Sequence, residues 1–231
     1  MSVSALLRGP EALQRLSRAR LCLLFTPELL PAADPLAALE SALPHIDLLQ
    51  VRPKAPGSRA GAQARATHDW ALRVIDLLAV HPDCPLVLTV NDRVDVAMAL
   101  REKGIAGVHL GEDDTPPAMA RELLGQDALI GLSTHDLDAV IEANEQPVNY
   151  LGFGPIHATQ TKGYLQGLGS ELAWIAHGAS SLPLFPIGGI DASNAGELNR
   201  IGRAAVSSSV LCASDPGAAA RELRRLLAER E

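Results

Sequence analysis

The sequence predicts an α/β protein built as a single (β/α)₈ TIM barrel with a short N-terminal helix, on three observations. Short apolar runs bounded by turn residues alternate with amphipathic stretches along the chain, the pattern of parallel βαβ units. Eight such apolar runs can be counted, and the 231 residues lie close to the ~250 typical of this architecture. The first run ends Phe25-Thr26-Pro27 with no Gly-x-Gly-x-x-Gly turn, which argues against an open doubly wound sheet.

The expected strands are Leu21–Thr26, Ile46–Arg52, Leu86–Val90, Gly107–Leu110, Leu129–Ser133, Asn149–Gly152, Leu184–Ile187 and Ala204–Ser208. Their near-continuous apolar character suits a sheet covered by helices. Apolar residues at helical spacing predict helices over Ala62–Val80, Val94–Lys103, Pro117–Leu124, Leu137–Asn144, Ser170–His177, Ser193–Arg200 and Pro216–Arg230. Asp136 and either Asp191 or Ser193 are expected N-caps, and Gly104, Gly125 and Gly178 expected helix ends. No linker or composition shift divides the chain, so residues 1–231 are expected to form one domain, with 1–20 as a helical extension. Pro53–Gly61 follows a strand directly and reads as a loop over the barrel mouth.

With 27 acidic against 20 basic residues the net charge is −7, so the overall field opposes nucleic acid and no such partner is expected. Cys22, Cys84 and Cys212 are odd in number and widely spaced, as suits reduced thiols in a cytoplasmic protein. Met1–Arg20 has scattered arginines and no apolar centre, unlike a signal peptide. No run approaches the roughly 18 apolar residues of a membrane span. No membrane partner is expected either, and a homo-oligomer is left open.

In such a barrel the chemistry sits where strands end at their C-termini, so polar residues just after apolar runs carry the most weight. The second strand runs into Gln50-Val51-Arg52-Pro53-Lys54, whose alternation turns Gln50, Arg52 and Lys54 to one side if the strand continues. That is either a basic rim loop or a cationic clamp for phosphate. Asn91-Asp92-Arg93 follows the third strand; an Asn-Asp step is commonly a helix cap. Together with Glu112-Asp113-Asp114 after the fourth strand, it also offers the oxygen ligands that Mg²⁺ prefers when it bridges substrate phosphates. His109, inside an apolar strand, is read first as a hydrogen-bonded core residue and second as a ligand or base. Ser133-Thr134-His135 ends the fifth strand, and a long loop after the sixth carries Thr159, Thr161 and Lys162, either a bland loop or a lid over an anion. Gly188-Gly189 after the seventh strand either simply allows a tight turn or, with Ser207-Ser208-Ser209 at the eighth, matches the phosphate cradle of barrel enzymes.

Taken in order, Gln50–Lys54, Asn91–Arg93, Gly107–Asp114, Gly131–His135, Gly152–Lys162 and Ile187–Ile190 resemble the thiamine-phosphate synthase family, which includes the thiazole tautomerases. The resemblance runs from about Leu21 to Pro216. It implies condensation of hydroxymethylpyrimidine diphosphate with thiazole phosphate, giving thiamine phosphate and pyrophosphate. It further implies that Gln50, Arg52, Lys54 and Asn91 hold the pyrimidine diphosphate, that Asp92 and Asp114 bind Mg²⁺, and that Ser133 and Lys162 contact the diphosphate. Arg52, Lys54, Ser133 and Lys162 are then the expected catalytic residues. Thr159 and Thr161 would face the thiazole, and Gly189, Ser207 and Ser208 its phosphate.

Pro53, Glu112, Pro186 and the serine run Ser207–Ser209 depart from the family pattern. A tautomerase, using His135 or His157 as a proton shuttle, is the nearest alternative, and a non-catalytic phosphate-ligand barrel the next. Retention of Asp92, Asp114 and Lys162 favours the synthase, because a tautomerase has no diphosphate to hold.

Overall fold

Short runs rich in Leu, Val and Ile form eight parallel strands: β1 (Leu21–Phe25), β2 (Leu48–Val51), β3 (Val87–Asn91), β4 (Gly107–Leu110), β5 (Leu129–Thr134), β6 (Tyr150–Phe153), β7 (Leu184–Pro186) and β8 (Ala204–Val206). This computed structural model describes residues 6–30, 34–54, 60–158 and 167–228. The strands neighbour one another in chain order, with β8 beside β1. A parallel bridge between Ile187 and Ala205 joins the two remaining edges and closes the sheet into a barrel.

Around it lie α1 (Gly9–Arg18), α2 (Pro35–Ala42), α3 (Ala60–Ala79), α4 (Val94–Leu100), α5 (Pro117–Leu124), α6 (Leu137–Ala143), α7 (Ser170–Ala179), α8 (Ser208–Leu211) and α9 (Pro216–Leu226). Local chemistry starts several of them. Asp136 and Asp215 accept hydrogen bonds from the backbone N–H groups of Ala139 and Ala218, at 2.8 and 2.9 Å, capping α6 and α9. Asp34 caps α2 in the same way, with Pro35 supplying a first helical residue whose missing N–H costs nothing there.

The two-residue period of the strands sorts their side chains into two cores. Leu21, Leu23 and Phe25 of β1 face the helices, in company with Leu49, Val51, Leu88 and Val90. Cys22 and Leu24 face the barrel axis with Leu48, Val87, Leu129, Tyr150, Phe185 and Ala205. Ala12, Leu16 and Ala19 at α1 join this inner cluster, so the N-terminal helix plugs the end where the strands begin. The opposite end is left open for a ligand.

Several expected elements differ. The leading helix occupies Gly9–Arg18, started by Pro10 in its first turn. The helix expected over Ser193–Arg200 is only a 3₁₀ turn, Ala195–Leu198, in a stretch broken by Asn194, Gly196 and Asn199. Asp191 caps no α-helix; its carboxylate instead holds Ser193 in the loop after β7. Gly178 lies within α7 and does not end it; Gly104 and Gly125 both follow helices with positive φ, but only Gly104 adopts the left-handed conformation expected of such an end. β2 stops at Val51, so Lys54 does not continue its alternation. Among the described residues no helix is long and apolar enough to cross a membrane.

Candidate active site

A cavity of about 1160 Å³ opens at the C-terminal ends of the strands. Its wall takes Gln50 from β2 and Arg52 just beyond, Asn91 and Asp92 at the end of β3, Asp114 after β4 and Ser133 on β5. Gly189 after β7, with Ser207 and Ser208 after β8, completes the ring. These residues lie far apart in sequence and share one mouth because each sits at the same end of a parallel strand.

Arg52 is half-buried, and its backbone N–H is fixed to the Phe25 carbonyl at 2.8 Å. Burial pulls the guanidinium below its usual range, while the Asp92 carboxylate opposes that shift. It remains a cation at neutral pH, with a planar fork suited to phosphate. Lys54 is exposed and is not among the residues lining the cavity; its backbone N–H bonds Glu28 Oε2 at 2.9 Å. Burial and the neighbouring Arg52 lower its ammonium, and Glu28 raises it.

Asp92 has φ of +61°, the only non-glycine residue in the left-handed region among those described. Its N–H bonds the His109 carbonyl at 2.8 Å, and the next N–H, of Arg93, turns back to the Asn91 carbonyl at 2.7 Å. Such a conformation costs about 1 kcal/mol or more and persists where the surroundings impose it. The cap position of α4 is Arg93, one residue past the Asn-Asp step, and its side chain makes no cap bond. Asp114 is pinned by the Gly111 N–H, which donates to Oδ2 at 2.7 Å. No cluster of three or more His, Cys, Asp or Glu that could cage a metal occurs among the described residues. Two carboxylates on one wall nevertheless fit Mg²⁺, which takes one or two protein carboxylates and fills its remaining positions with water and substrate phosphate.

Glycine is required across the rim. Gly188 and Gly189 have φ of +100° and +63°, and a Cβ on them would sit 2.6 Å from Pro155 Cβ and 2.7 Å from the Ala158 carbonyl oxygen. Opposite them, Ser207 Oγ donates to the Leu24 carbonyl at 2.8 Å, so its hydroxyl proton is already committed to β1. Ser208 begins the short helix α8, whose first N–H groups have no intrahelical acceptor.

The apolar floor is the part that the pattern of strand ends missed. Cys22, Leu24, Tyr150 and Phe185 line it. The Tyr150 ring lies edge-on to Phe185, with centroids 5.9 Å apart, and tilts against His109 at 5.3 Å. Gln50 is 3% exposed, and its Oε1 is buried with no hydrogen-bond partner. An aromatic floor beside an unpaired amide oxygen suits a flat heterocycle bearing a hydrogen-bonding N–H. Alternation puts Cys22 and Leu24 on one face of their strand, but nothing in the sequence says that this face, or the one carrying Tyr150 and Phe185, points to the barrel axis.

His109, expected in the core, is instead in the cavity wall, with Nε2 3.0 Å from Ser133 Oγ. His135 also lines the cavity and is bonded through Nδ1 to the Gly154 carbonyl. His157 is not among the lining residues; its Nε2 lies 3.8 Å from Glu197. Thr159, Thr161 and Lys162 lie outside the described residues.

Fold and site together define a parallel barrel with a polar mouth at the strand ends over an apolar floor. The chain belongs to the family described as thiamine monophosphate synthase, whose model matches residues 21–210. It is 37% identical over 222 residues to a thiamine-phosphate synthase of Synechococcus sp. (strain CC9605), covering 95% of this chain and 58% of that relative. The thiamine-phosphate synthase of Azorhizobium caulinodans is 39% identical over 186 residues, covering 79% of this chain and 82% of its own length. The chain thus spans somewhat over half the length of the Synechococcus relative and most of the Azorhizobium one. Among solved structures, thiamine phosphate pyrophosphorylase from Pyrococcus furiosus superposes with a TM-score of 0.74 at 27% identity, over 93% of this chain and 96% of that one. At 13% identity, 3-hexulose-6-phosphate synthase from Salmonella typhimurium shares the fold, with a TM-score of 0.64 over 90% of this chain and 98% of its own.

Proposed function

We propose that the chain is a thiamine-phosphate synthase, a cytoplasmic transferase that joins hydroxymethylpyrimidine diphosphate to thiazole phosphate and releases pyrophosphate. The observation that carries this reading is the meeting of Arg52, Asp92, Asp114 and Ser133 on one wall above the Tyr150 and Phe185 floor. A diphosphate leaves readily only when its growing charge meets prearranged cations and donors.

In this reading the pyrimidine lies on the floor with its amino group toward the unpaired Gln50 oxygen. Arg52 and Asn91 hold the diphosphate, with Ser133 donating a hydrogen bond to it and Lys162 adding charge. Lys54 acts from the rim, at longer range than the sequence alone suggests. Asp92 and Asp114 would hold Mg²⁺, which supplies positive charge to the leaving group. Gly189 and Ser208 take the thiazole phosphate with backbone N–H groups, and Ser207 shapes that cradle through its bond to β1. Thr159 and Thr161 face the thiazole.

The bond from the pyrimidine methylene to the diphosphate oxygen breaks with its electron pair going to the oxygen. The electron-rich aminopyrimidine bears the resulting positive charge, and the thiazole nitrogen then supplies the pair for the new C–N bond. No protein nucleophile is needed. His135 gives the tautomerase alternative its one supporting observation, a ring nitrogen held by Gly154 in the cavity wall. That alternative leaves the two carboxylates without a task.

The test is incubation of purified protein with both substrates and Mg²⁺, reading thiamine phosphate by chromatography. Product that requires all three supports the proposal. Thiazole isomerisation without condensation would transfer the assignment to the tautomerase, and binding without turnover to a non-catalytic barrel.

A further inference from the structure

His109 stands on β4 with its ring lying across β5. The reach to Ser133 exists because the neighbouring strands present glycine beneath the imidazole. A Cβ on Gly131 would sit 2.3 Å from His109 Nδ1, and one on Gly152 would sit 3.3 Å from Cε1. His109 pairs with Gly131 in the β4–β5 register, and Gly131 pairs with Tyr150 in the next. The Tyr150 ring closes the remaining side. Backbone fixes the residue as well, since its carbonyl accepts the Asp92 N–H. The imidazole is therefore held in one place, with Nε2 3.0 Å from Ser133 Oγ.

We propose that His109 is a positioning residue for Ser133: its Nε2–H donates to Oγ and so turns the serine proton toward the departing diphosphate. A hydroxyl has one proton and two lone pairs. With an imidazole N–H on one lone pair, the O–H is left for the anion. In the reverse polarity the ring takes that proton, and the serine faces the diphosphate with lone pairs that repel it. Charge on the leaving oxygen grows as the C–O bond lengthens, so a correctly aimed donor matters most at that point. His109 itself exchanges no proton in this role. The inference rests on reading the mouth as a diphosphate site.

Steady-state kinetics of Ser133→Ala, His109→Phe and the double variant, with both substrates and Mg²⁺, test it. Each single change is expected to lower kcat roughly tenfold to a hundredfold, with a smaller change in KM. The double variant is expected within about threefold of the weaker single, because both changes remove one donor. Losses that multiply overturn the inference. His109→Gln keeps an N–H at about the reach of Nε2 and is expected to recover most of kcat, while the shorter His109→Asn stays near the Ser133→Ala level. Equal activity of the folded Gln and Asn variants also overturns it, and this pair carries the test should the Phe variant not fold. A wild-type chain that forms no product removes the synthase reading and the inference together; an active wild type with multiplying losses removes the inference alone.

Discussion

Asp47 and Arg224 meet at 2.6 Å at the end of the barrel away from the cavity. The same carboxylate, 1% exposed, binds Arg15 at 2.8 Å and accepts the backbone N–H groups of Arg20 and Leu21 at 2.8 and 3.2 Å. One side chain thus ties α1, the start of β1, the entry to β2 and α9 together. Asp47→Ala leaves a half-buried arginine pair without its counter-charge, and the expected loss is on the order of 3 kcal/mol. The denaturation midpoint measures it. Ligand binding by the protein that remains folded should be unchanged, because the clasp and the mouth occupy opposite ends.

Gly131→Ala acts on the site itself. Its Cβ would stand 2.3 Å from both His109 Nδ1 and Tyr150 Cζ, two rings that packing holds in place. The expected cost is about 1–3 kcal/mol of stability, with loss of turnover beyond what that destabilisation explains. Thermal melting and activity on the same preparation separate the two effects.

Arg52→Ala and Lys162→Ala each remove a cation proposed to stabilise the leaving diphosphate. By comparison with loss of one oxyanion donor, each is expected to raise the barrier by on the order of 3 kcal/mol. Single-turnover rates measure this, and near-normal turnover by either variant removes that residue from its assigned role.

Acid should weaken the fold through His177. Burial lowers its imidazole and the nearby Arg203 lowers it further, so the unfolded chain takes up the proton first. Its contribution is complete above the unfolded value of about 6.5 and is lost as pH falls through the lower folded value. Melting temperature should therefore fall as pH drops below that point, and His177→Asn should show a shallower fall. An identical pH profile for the two proteins contradicts the assignment.

Much of the fold was legible because buried parallel strands are nearly continuous apolar runs, as Leu21–Phe25 and Leu129–Thr134 illustrate. Boundaries were less so. Nothing in Gln50-Val51-Arg52-Pro53-Lys54 says that pairing stops at Val51, and that stop moves Lys54 from the wall to the rim. The rim residues could be read because each follows a strand; the floor could not, because Tyr150 and Phe185 look like ordinary core residues until the direction of the barrel axis is known. His109 was hidden for a related reason, since its contact with Ser133 depends on glycines contributed by two other strands. α2 is absent from the expected helices; in the structure Pro35 occupies its first turn, where proline is well tolerated.

Calorimetric titration of pyrophosphate into the protein, with and without Mg²⁺, addresses the anion-holding mouth directly. Binding is expected to strengthen at least tenfold with Mg²⁺ in the wild type, and that gain should vanish in a folded Asp92→Asn variant. Binding that ignores Mg²⁺, or a gain that survives the substitution, contradicts a mouth built to receive and release a diphosphate.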